Sequence, residues 1–244
     1  MMNLSILVSV YNQEPEYLKR CVDSLPREAE IIIIDDGSTI PVRTDAGIIY
    51  HRPHQGLAAS RSFGIEKATK DFITFVDSDD FIETPDSFNK ILSWIEQDPD
   101  IGIGVIWTKT ENQTDHLHRA MKDTIMGRQE AFLDLTFGRH YSLHVCGKVY
   151  RKEILLATNQ EIDSSVSLGE DLERNLYAFP RAKKVAYDSE HFYHYVFNEE
   201  GMCRKSRGEK TPQPTIDTFN QIMASPLMTD KARRILSIKF SIRR

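Results

Sequence analysis

The chain has 244 residues, of which 40% are hydrophobic and 27% are charged, values typical of a globular protein with one large domain or a domain with an appended lobe. The net charge of -5 gives no general reason to expect a nucleic acid as partner. The three cysteines lack metal-ligand spacing, and their sparse distribution favours reduced thiols. The first residues lack a basic leader, and no apolar run approaches the roughly 20 residues of a membrane helix. We therefore expect a cytoplasmic protein.

The first hundred residues alternate predicted strands with predicted helices. Short apolar runs rich in branched residues predict the strands, and apolar residues at helical spacing predict the helices. Four consecutive isoleucines, residues 31–34, predict a parallel strand that is covered on both faces. The predicted strands lie at residues 4–10, 30–35, 46–52 and 72–76, and the predicted helices at residues 12–25, 56–69 and 86–97. This alternation predicts an α/β fold with a mostly parallel sheet flanked by helices.

Polar residues follow three of these strands at the point where each strand ends. They are residues 9–12, 35–38 and 77–80. Because ligands bind outside the carboxyl ends of parallel strands, we expect these residues to converge on a ligand site. The last segment crowds Asp77, Asp79 and Asp80 together, although like charges repel and burial penalises each ionised form. Since residues 72–85 include no Lys or Arg, a positive charge from elsewhere is needed to meet these carboxylates.

The pattern loosens after about residue 110. Residues 108–124 are polar and are predicted to form a surface loop or an insertion, and residues 198–214 are predicted to form a mobile connection. A pair of helices is predicted from about Thr215. Further helices are predicted at residues 127–137, 151–159 and 169–179, and strands at residues 183–188 and 191–197. We therefore divide the chain into residues 1–110, 111–210 and 211–244.

Several motifs together resemble those of one family. LSILVSVYNQEPEYLKRCVDSL, IIIIDDGS, HQGLAASRSFGI and FVDSDD resemble, in order and spacing, the nucleotide-sugar-binding half of the family 2 glycosyltransferases, and LGEDLERNLYAF resembles the downstream Glu-Asp motif of that family. The clear match covers about residues 4–85, with a weaker match over residues 146–179. The resemblance implies a Rossmann-like GT-A fold with a mainly helical C-terminal extension. It also implies an inverting, metal-dependent enzyme that moves a sugar from a nucleotide diphosphate sugar, UDP-linked in our interpretation, to a hydroxyl of a glycan or lipid-linked acceptor.

A divalent ion would supply the positive charge that the aspartates lack. Placed between protein carboxylates and diphosphate oxygens, it offsets both repulsions, and Asp oxygens suit Mn²⁺ or Mg²⁺. Asp79 is predicted to be the direct metal ligand. Asp77 is assigned to the metal site and to the ribose, Ser78 to the nucleotide sugar, and Asp80 to a supporting role. The alternative is a solvated turn at the strand end, or an aspartate that caps the helix near Asp86.

The resemblance assigns the nucleotide contacts to the first strand ends. Asp36 maps to the residue that accepts a hydrogen bond from the base edge, and Ser9 and Tyr11 map to residues that contact and stack on the nucleotide. Arg61 is predicted to bind base or phosphate. The alternative for Asp35 and Asp36 is turn chemistry, because Asp before Gly-Ser bonds its own backbone.

The acceptor hydroxyl needs a base that takes its proton. By resemblance that base is Asp171, with Glu170 beside it in the catalytic pair, and attack opposite the leaving group inverts the anomeric centre. The alternative is that both acids serve a helix N-terminus, where the macrodipole favours them. His191 and His194 are assigned either to the diphosphate or metal or to the core. The role of Lys148 is left open, and a position near the acceptor is one assignment.

Residues 231–244, KARRILSIKFSIRR, carry six Lys or Arg and no acid. Their interleaved apolar residues fit a segment that contacts an anionic membrane surface, in this case its cytoplasmic face, and they fit equally a docking helix with solvated charges. Three other classes compete with glycosyl transfer. A nucleotidyltransferase would need a Gly-rich basic phosphate loop, which the N-terminal region lacks. An oxidoreductase would need glycines in VSVYNQEP, which has none. A non-catalytic sugar-nucleotide-binding protein stays open.

Overall fold

The structure is a computed structural model, and it describes residues 2–83, 85–109, 114–116, 123–137, 144–162, 169–196, 213–224 and 230. The strands are β1 (Leu4–Val10), β2 (Glu30–Asp35), β3 (Ile48–His51), β4 (Phe72–Asp77), β5 (Phe81–Ile82), β6 (Ile101–Lys109), β7 (Thr114–His116), β8 (Thr124–Gly127), β9 (Lys148–Arg151) and β10 (Lys184–His194). The helices are α1 (Pro15–Asp23), α2 (Leu57–Lys67), α3 (Pro85–Glu96), α4 (Arg128–Phe137), α5 (Lys152–Asn159), α6 (Glu170–Arg181) and α7 (Gln213–Ala224).

One sheet organises the described part of the chain. Its strand order is β3-β2-β1-β4-β9-β6-β10-β5, with β7 paired to β6 and β8 paired to β10. The four N-terminal strands β3, β2, β1 and β4 are mutually parallel neighbours, which confirms the predicted α/β class and parallel arrangement. The antiparallel strand β9 lies between β4 and β6, so the sheet is mixed beyond β4.

Helices cover the sheet on both faces. Ile32 and Ile34 of β2 belong to a core cluster with α2, α4, α5 and α6, whereas Ile31 and Ile33 belong to a second cluster with α1 and α3. A strand alternates its side chains between two faces, so an uninterrupted isoleucine run buries all four residues only when both faces are covered. The prediction made from this run is confirmed.

Three helices begin at the carboxyl edge of the parallel strands or close to it. Pro15 occupies the first turn of α1, where its missing N–H costs nothing, and the helix buries Leu18, Cys21 and Val22. Gly56 precedes α2 with a φ of 92°, and Gly169 precedes α6 with a φ of 88°. These left-handed positions favour glycine. They precede the helices whose Arg61, on α2, and Glu170 and Asp171, on α6, meet at this edge of the sheet.

The second half of the chain departs from the sequence-based prediction. Strands β6 and β9 were not predicted, and the polar stretch at residues 108–124 contains β7 and the ends of β6 and β8 rather than loop alone. The two strands predicted at residues 183–188 and 191–197 are one strand, β10. Its pairing with β6 shifts register between Tyr187 and Tyr193. The register shifts fall at the polar residues that separated the two predicted strands, so one irregular strand accommodates them.

Two predicted segments lie outside the described residues. They are most of the predicted mobile connection and the basic segment at residues 231–244, so the membrane and docking interpretations of that segment stay predictions. Of the predicted C-terminal helix pair, α7 is described, and Gln221 on it accepts a hydrogen bond from Tyr177 of α6 at 3.1 Å. Within the described ranges, no helix combines the length and the apolar character that crossing a membrane would require.

Candidate active site

The carboxylates after β4 lie where the sequence predicts, at the carboxyl edge of the parallel strands. Asp77 ends β4 and is in register with Ser9 of β1. The chain then turns sharply, with the Asp80 N–H donating to the Asp77 carbonyl at 3.0 Å, before β5 begins. This tight turn holds Asp77, Asp79 and Asp80 within one short loop.

Arg61 of α2 is the centre of this site. Its guanidinium donates through Nη2 to Asp77 Oδ1 at 2.7 Å and through Nη1 to Glu170 Oε1 at 2.8 Å. The same Nη1 donates to Asp171 Oδ1. Arg61 is only 2% exposed, so these contacts are shielded from water. One buried cation therefore joins the loop after β4 to the first turn of α6.

The sequence did not predict these carboxylate contacts of Arg61, and its predicted contact with a nucleotide stays a prediction. The sequence predicted that Arg61 binds the base or phosphate of a nucleotide. It also predicted that a bound divalent ion supplies the positive charge near the aspartates. In the structure the guanidinium faces three protein carboxylates. Sequence spacing could not show this, because α2 and α6 lie more than a hundred residues apart and meet only in the fold.

The Asp77 carboxylate is held from both sides. Its Oδ1 accepts from Arg61, and its Oδ2 accepts from the Cys146 thiol at 3.1 Å. Asp80 is fixed as well, because Tyr193 donates its hydroxyl to Asp80 Oδ2 at 2.7 Å and the backbone N–H of Val196 donates to Oδ1 at 2.7 Å. Burial, and then the charges of its aspartate neighbours, raise the pKa of Asp80. Both residues are rigid parts of the site.

Asp79 stands apart from this network. Among the described residues, no side chain donates a hydrogen bond to its carboxylate, although Arg20 donates to its carbonyl at 2.9 Å. Burial, and then the Asp77 charge, raise the pKa of Asp79 to about 6. A carboxylate that is partly buried beside like charges and has no side-chain donor is one that an added cation would stabilise.

Glu170 and Asp171 occupy the first turn of α6, where the helix dipole favours acids. Their side chains also meet Arg61, which a capping role does not require. Burial opposes ionisation of Asp171, but the Arg61 charge, with a hydrogen bond from His144, holds the pKa of Asp171 well below its usual range. Burial, and then the Asp171 charge, raise the pKa of Glu170. The pKa values of the two acids are thus shifted in opposite directions, upward for Glu170 and downward for Asp171.

The residues assigned to the nucleotide lie along the neighbouring strand ends. Asp35 makes turn contacts, accepting from the Ser38 N–H at 2.9 Å and contacting His51 Nδ1 at 2.8 Å. Asp36 accepts from the backbone N–H of Gln55 and Gly56 at 3.0 and 2.8 Å. Tyr11 is 50% exposed at the rim, and Ser9 lies next to Asp77 on β1. The assigned residues are therefore brought to one edge, with Tyr11 open to solvent.

The remaining candidates are spread around the site. Ser78 donates to Gln13 at 3.1 Å, and burial lowers the pKa of Lys148 to about 8. The Lys148 ammonium donates to the carbonyl of His144, whose ring contacts Asp171 Oδ2 at 3.5 Å. His194 stacks on Phe81 with ring centroids 4.2 Å apart, a packed setting at the end of β10. The His191 side chain lies outside the described part.

The donor set fits a divalent ion that is shared with a ligand rather than one caged by protein. Within the described ranges, no group of three or more His, Cys, Asp or Glu side chains is arranged to hold a metal ion. Asp77 has both oxygens engaged, which leaves Asp79 as the carboxylate with open coordination. Mg²⁺ characteristically binds through one or two carboxylates plus substrate phosphates and water. Asp79 could therefore hold Mn²⁺ or Mg²⁺ in this way.

Arg61→Lys is expected to lower the free energy of unfolding by about 1.5–3 kcal/mol, the value of a hydrogen bond to a charged group. Lysine keeps the charge but has a single nitrogen. Arginine contacts Asp77 through one guanidinium nitrogen and the Glu170–Asp171 pair through another, and a lysine ammonium cannot make both sets of contacts. Urea unfolding followed by circular dichroism measures the change.

The matched control for that prediction is Arg151→Lys. Arg151 also contacts two carboxylates, those of Asp98 and Asp100, but it lies nearer the surface. We expect a loss below about 1 kcal/mol there. Equal losses in the two variants would contradict a special role of the Arg61 contacts.

Comparisons with known proteins agree with the motifs. The family model described as "Glycosyl transferase family 2" matches residues 5–157. Two Bacillus subtilis proteins are similar over most of this chain: the uncharacterized glycosyltransferase EpsJ is 28% identical over 218 residues, and the putative glycosyltransferase EpsH is 30% identical over 220 residues. The matches cover 82% and 83% of this chain but only 62% and 63% of those relatives, so the chain spans less than two thirds of their length.

Solved structures show the same fold. The 1–349 fragment of S. aureus TarS in complex with UDP-GlcNAc aligns with a TM-score of 0.75 at 18% identity, over 96% of this chain and 69% of that one. The same fragment in complex with UDP also aligns with a TM-score of 0.75, at 16% identity. At these identities the likeness establishes the GT-A fold and carries no residue-level assignment.

Proposed function

Because this chain belongs to glycosyl transferase family 2, we propose that it transfers a sugar from a nucleotide diphosphate sugar to an acceptor hydroxyl, with inversion at the anomeric carbon. The observation that carries this proposal is the buried guanidinium of Arg61, which draws Asp77 on one side and Glu170 and Asp171 on the other into one site. Donor-side and acceptor-side carboxylates thus lie at the same edge of the sheet, where one reaction can use both.

The donor in this proposal is a UDP-sugar. Asp36 offers a carboxylate acceptor for the imide N–H of uracil, and Tyr11 offers an exposed ring on which a base can stack. Ser9 lies beside Asp77 on β1, and Ser78 lies within the carboxylate loop itself. The TarS structures, which contain UDP-GlcNAc and UDP, support a uridine nucleotide as the first donor to test.

Asp79 is the proposed ligand of Mn²⁺ or Mg²⁺, with Asp77 held beside it by Arg61 and Cys146. When bound, the dication supplies neutralisation of the diphosphate charge that grows as the sugar leaves. The protein's own contribution is geometric. Asp80 and Tyr193 fix the loop that presents Asp79, so the carboxylate is positioned before the donor arrives.

Asp171 is the proposed base that takes the proton of the acceptor hydroxyl. Arg61 and His144 keep its carboxylate ionised, so it is ready to accept a proton at neutral pH. A hydroxyl becomes acidic as its oxygen bonds to the anomeric carbon, so a weakly basic carboxylate can accept its proton late in the step. Attack from this side, opposite the diphosphate, inverts the anomeric centre. Glu170 supports the arrangement through its contact with Arg61.

The acceptor is proposed to be a hydroxyl of a glycan or of a lipid-linked glycan. In this proposal residues 1–110 bind the nucleotide sugar and residues 111–210 shape the acceptor side, and residues 211–244, which include α7 and the basic segment, form the third part. Lys148, which is buried and donates to the His144 carbonyl, belongs to the acceptor-side part.

A donor screen tests the proposed function. The protein is incubated with Mn²⁺ and with common UDP-, GDP- and CDP-sugars, and nucleoside diphosphate release is measured. We expect slow hydrolysis of a UDP-sugar to release UDP, faster when a suitable acceptor is present. Pyrophosphate release would indicate a nucleotidyltransferase instead, and tight donor binding without release of any product would indicate a non-catalytic binding protein.

A further inference from the structure

Three neighbouring strand ends meet beside the carboxylate site, at residues that follow β1, β2 and β3. Tyr11 follows β1, Asp36 and Gly37 follow β2, and His54 follows β3. The strands are adjacent and parallel, so these residues share the carboxyl edge of the sheet. His54 begins the HQGLAASRSFGI motif, but neither the site assignments nor the proposed function has given it a role.

His54 lies flat on the ring of Tyr11. The two ring centroids are 4.0 Å apart and the planes are inclined by 20°. Tyr11 is 50% exposed and the His54 side chain is 52% exposed, so the pair is a stacked platform at the rim rather than part of the core. One face of Tyr11 is covered by His54, which leaves the opposite face for a flat ligand.

His54 also holds Asp36. Its Nδ1 lies 3.0 Å from the Asp36 carbonyl oxygen and 2.8 Å from Oδ2 of the same residue. Because a carbonyl oxygen only accepts, Nδ1 carries the hydrogen. The backbone N–H of Gln55 donates to Oδ1 and that of Gly56 to Oδ2. Oδ2 therefore contacts two protein groups and Oδ1 only one, so Oδ1 is the oxygen with more unused accepting capacity.

Gly37 fixes the distance between the two loops. Its φ is +80°, and a Cβ at this position would lie 2.6 Å from the backbone nitrogen of His54. Any side chain there would push the loop after β3 away from Asp36. The close approach that gives His54 its contacts is thus built into the backbone.

We propose that His54 is a positioning residue of the nucleotide subsite, which sets the Asp36 carboxylate against the edge of a pyrimidine base while it supports Tyr11 against the face of the same base. This inference rests on the proposed function, because it presupposes a nucleotide diphosphate as ligand. The ligand class is a uridine nucleotide, whose N3–H donates to Asp36 Oδ1. Cytosine has no hydrogen at N3, so the same geometry disfavours it.

Calorimetry on the full chain in Mn²⁺ tests the role of His54. We expect His54→Ala to weaken UDP binding about tenfold, the combined effect of a lost ring stack and a lost hydrogen bond. Inorganic pyrophosphate, which has no base, is expected to bind native protein and variant equally. With a UDP-sugar, KM rises while kcat is unchanged, because the base is remote from the reacting atoms.

His51→Ala is the matched control. The His51 side chain is also 52% exposed, and its Nδ1 also contacts an aspartate, Asp35, at 2.8 Å, but no stacking on Tyr11 accompanies it. UDP binding is expected to stay within twofold of native in this variant. His54→Asn keeps a donor and loses the stack, so it is expected to recover part of the lost affinity.

The outcomes separate the inference from the function it rests on. Native protein that binds UDP, with His54→Ala binding it within twofold, overturns the role of His54 and leaves the proposed function intact. Equal weakening of UDP and pyrophosphate in His54→Ala overturns it as well, since the effect would not pass through the base. Native protein that binds no nucleoside diphosphate contradicts both.

Discussion

Asp171→Asn is expected to bind a UDP-sugar as tightly as the native protein but to lower kcat by about 100- to 10,000-fold, the usual contribution of a positioned acid or base. The amide has nearly the shape of the carboxylate and can still accept the Arg61 hydrogen bond through its oxygen. It cannot take a proton from the acceptor hydroxyl. Steady-state sugar transfer measures kcat, and calorimetry with the donor measures binding.

Two further variants sharpen that test. Asp98→Asn makes the same chemical change at an exposed ion pair with Arg151, and its φ of 53° suits asparagine, so native turnover is expected. Glu170→Gln is expected to lower kcat less than Asp171→Asn, because Glu170 acts through Arg61. Sugar transfer at the native rate by Asp171→Asn would remove Asp171 as the base.

Asp79→Ala is expected to weaken UDP binding in Mn²⁺ by at least about 100-fold, and to remove most of the dependence of binding on the metal. Mutating a residue that only hydrogen-bonds to a metal ligand typically lowers metal affinity 10- to 100-fold. Removing the ligand itself should lower it at least as much. The fold should persist, because no described side chain donates a hydrogen bond to the Asp79 carboxylate. Calorimetric titration with UDP measures the change.

Asp23→Ala on α1 is the control for Asp79→Ala. Asp23 is a half-exposed aspartate on the same side of the sheet, paired with Lys19. Its removal is expected to leave UDP binding and its metal dependence unchanged. If Asp79→Ala binds UDP in Mn²⁺ as tightly as the native protein, Asp79 is not the metal ligand.

The sequence predicted the N-terminal half of the fold well because its signals are local. Four isoleucines in β2 report burial on both faces, and Pro15 marks the start of α1. The loops with Asp35 and Asp77 follow buried strands, so their meeting at one edge follows from parallel topology. Each of these inferences needs only residues that are near one another in the chain.

The second half was predicted less well because its strands lack such local signals. Gly102 and Gly104 interrupt the apolar run of β6, and at Gly102 a Cβ would lie only 3.0 Å from the Trp94 ring, closer than ordinary packing. Polar residues in the middle of β10 imitate a loop. Pairing with neighbouring strands decides these segments, and pairing partners far along the chain are not visible in a local pattern.

The ion-pair network of the site was also beyond local inference. Motif positions brought Arg61, Asp77 and Asp171 into consideration, but only the fold shows that the Arg61 guanidinium contacts the carboxylates of the other two residues. The Cys146 thiol on Asp77 and the Tyr193 hydroxyl on Asp80 were not expected, since neither has a sequence signal of its own. Sequence patterns can identify which residues carry chemistry, whereas their partners emerge from tertiary contacts.

The central claim is that these crowded acids bind a nucleoside diphosphate only through a shared divalent ion. Titrating the native protein with UDP, first in Mn²⁺ and then in excess EDTA, tests it most directly. We predict at least about a 100-fold loss of affinity when the metal is removed. Equal affinity for UDP in the two conditions would contradict the account.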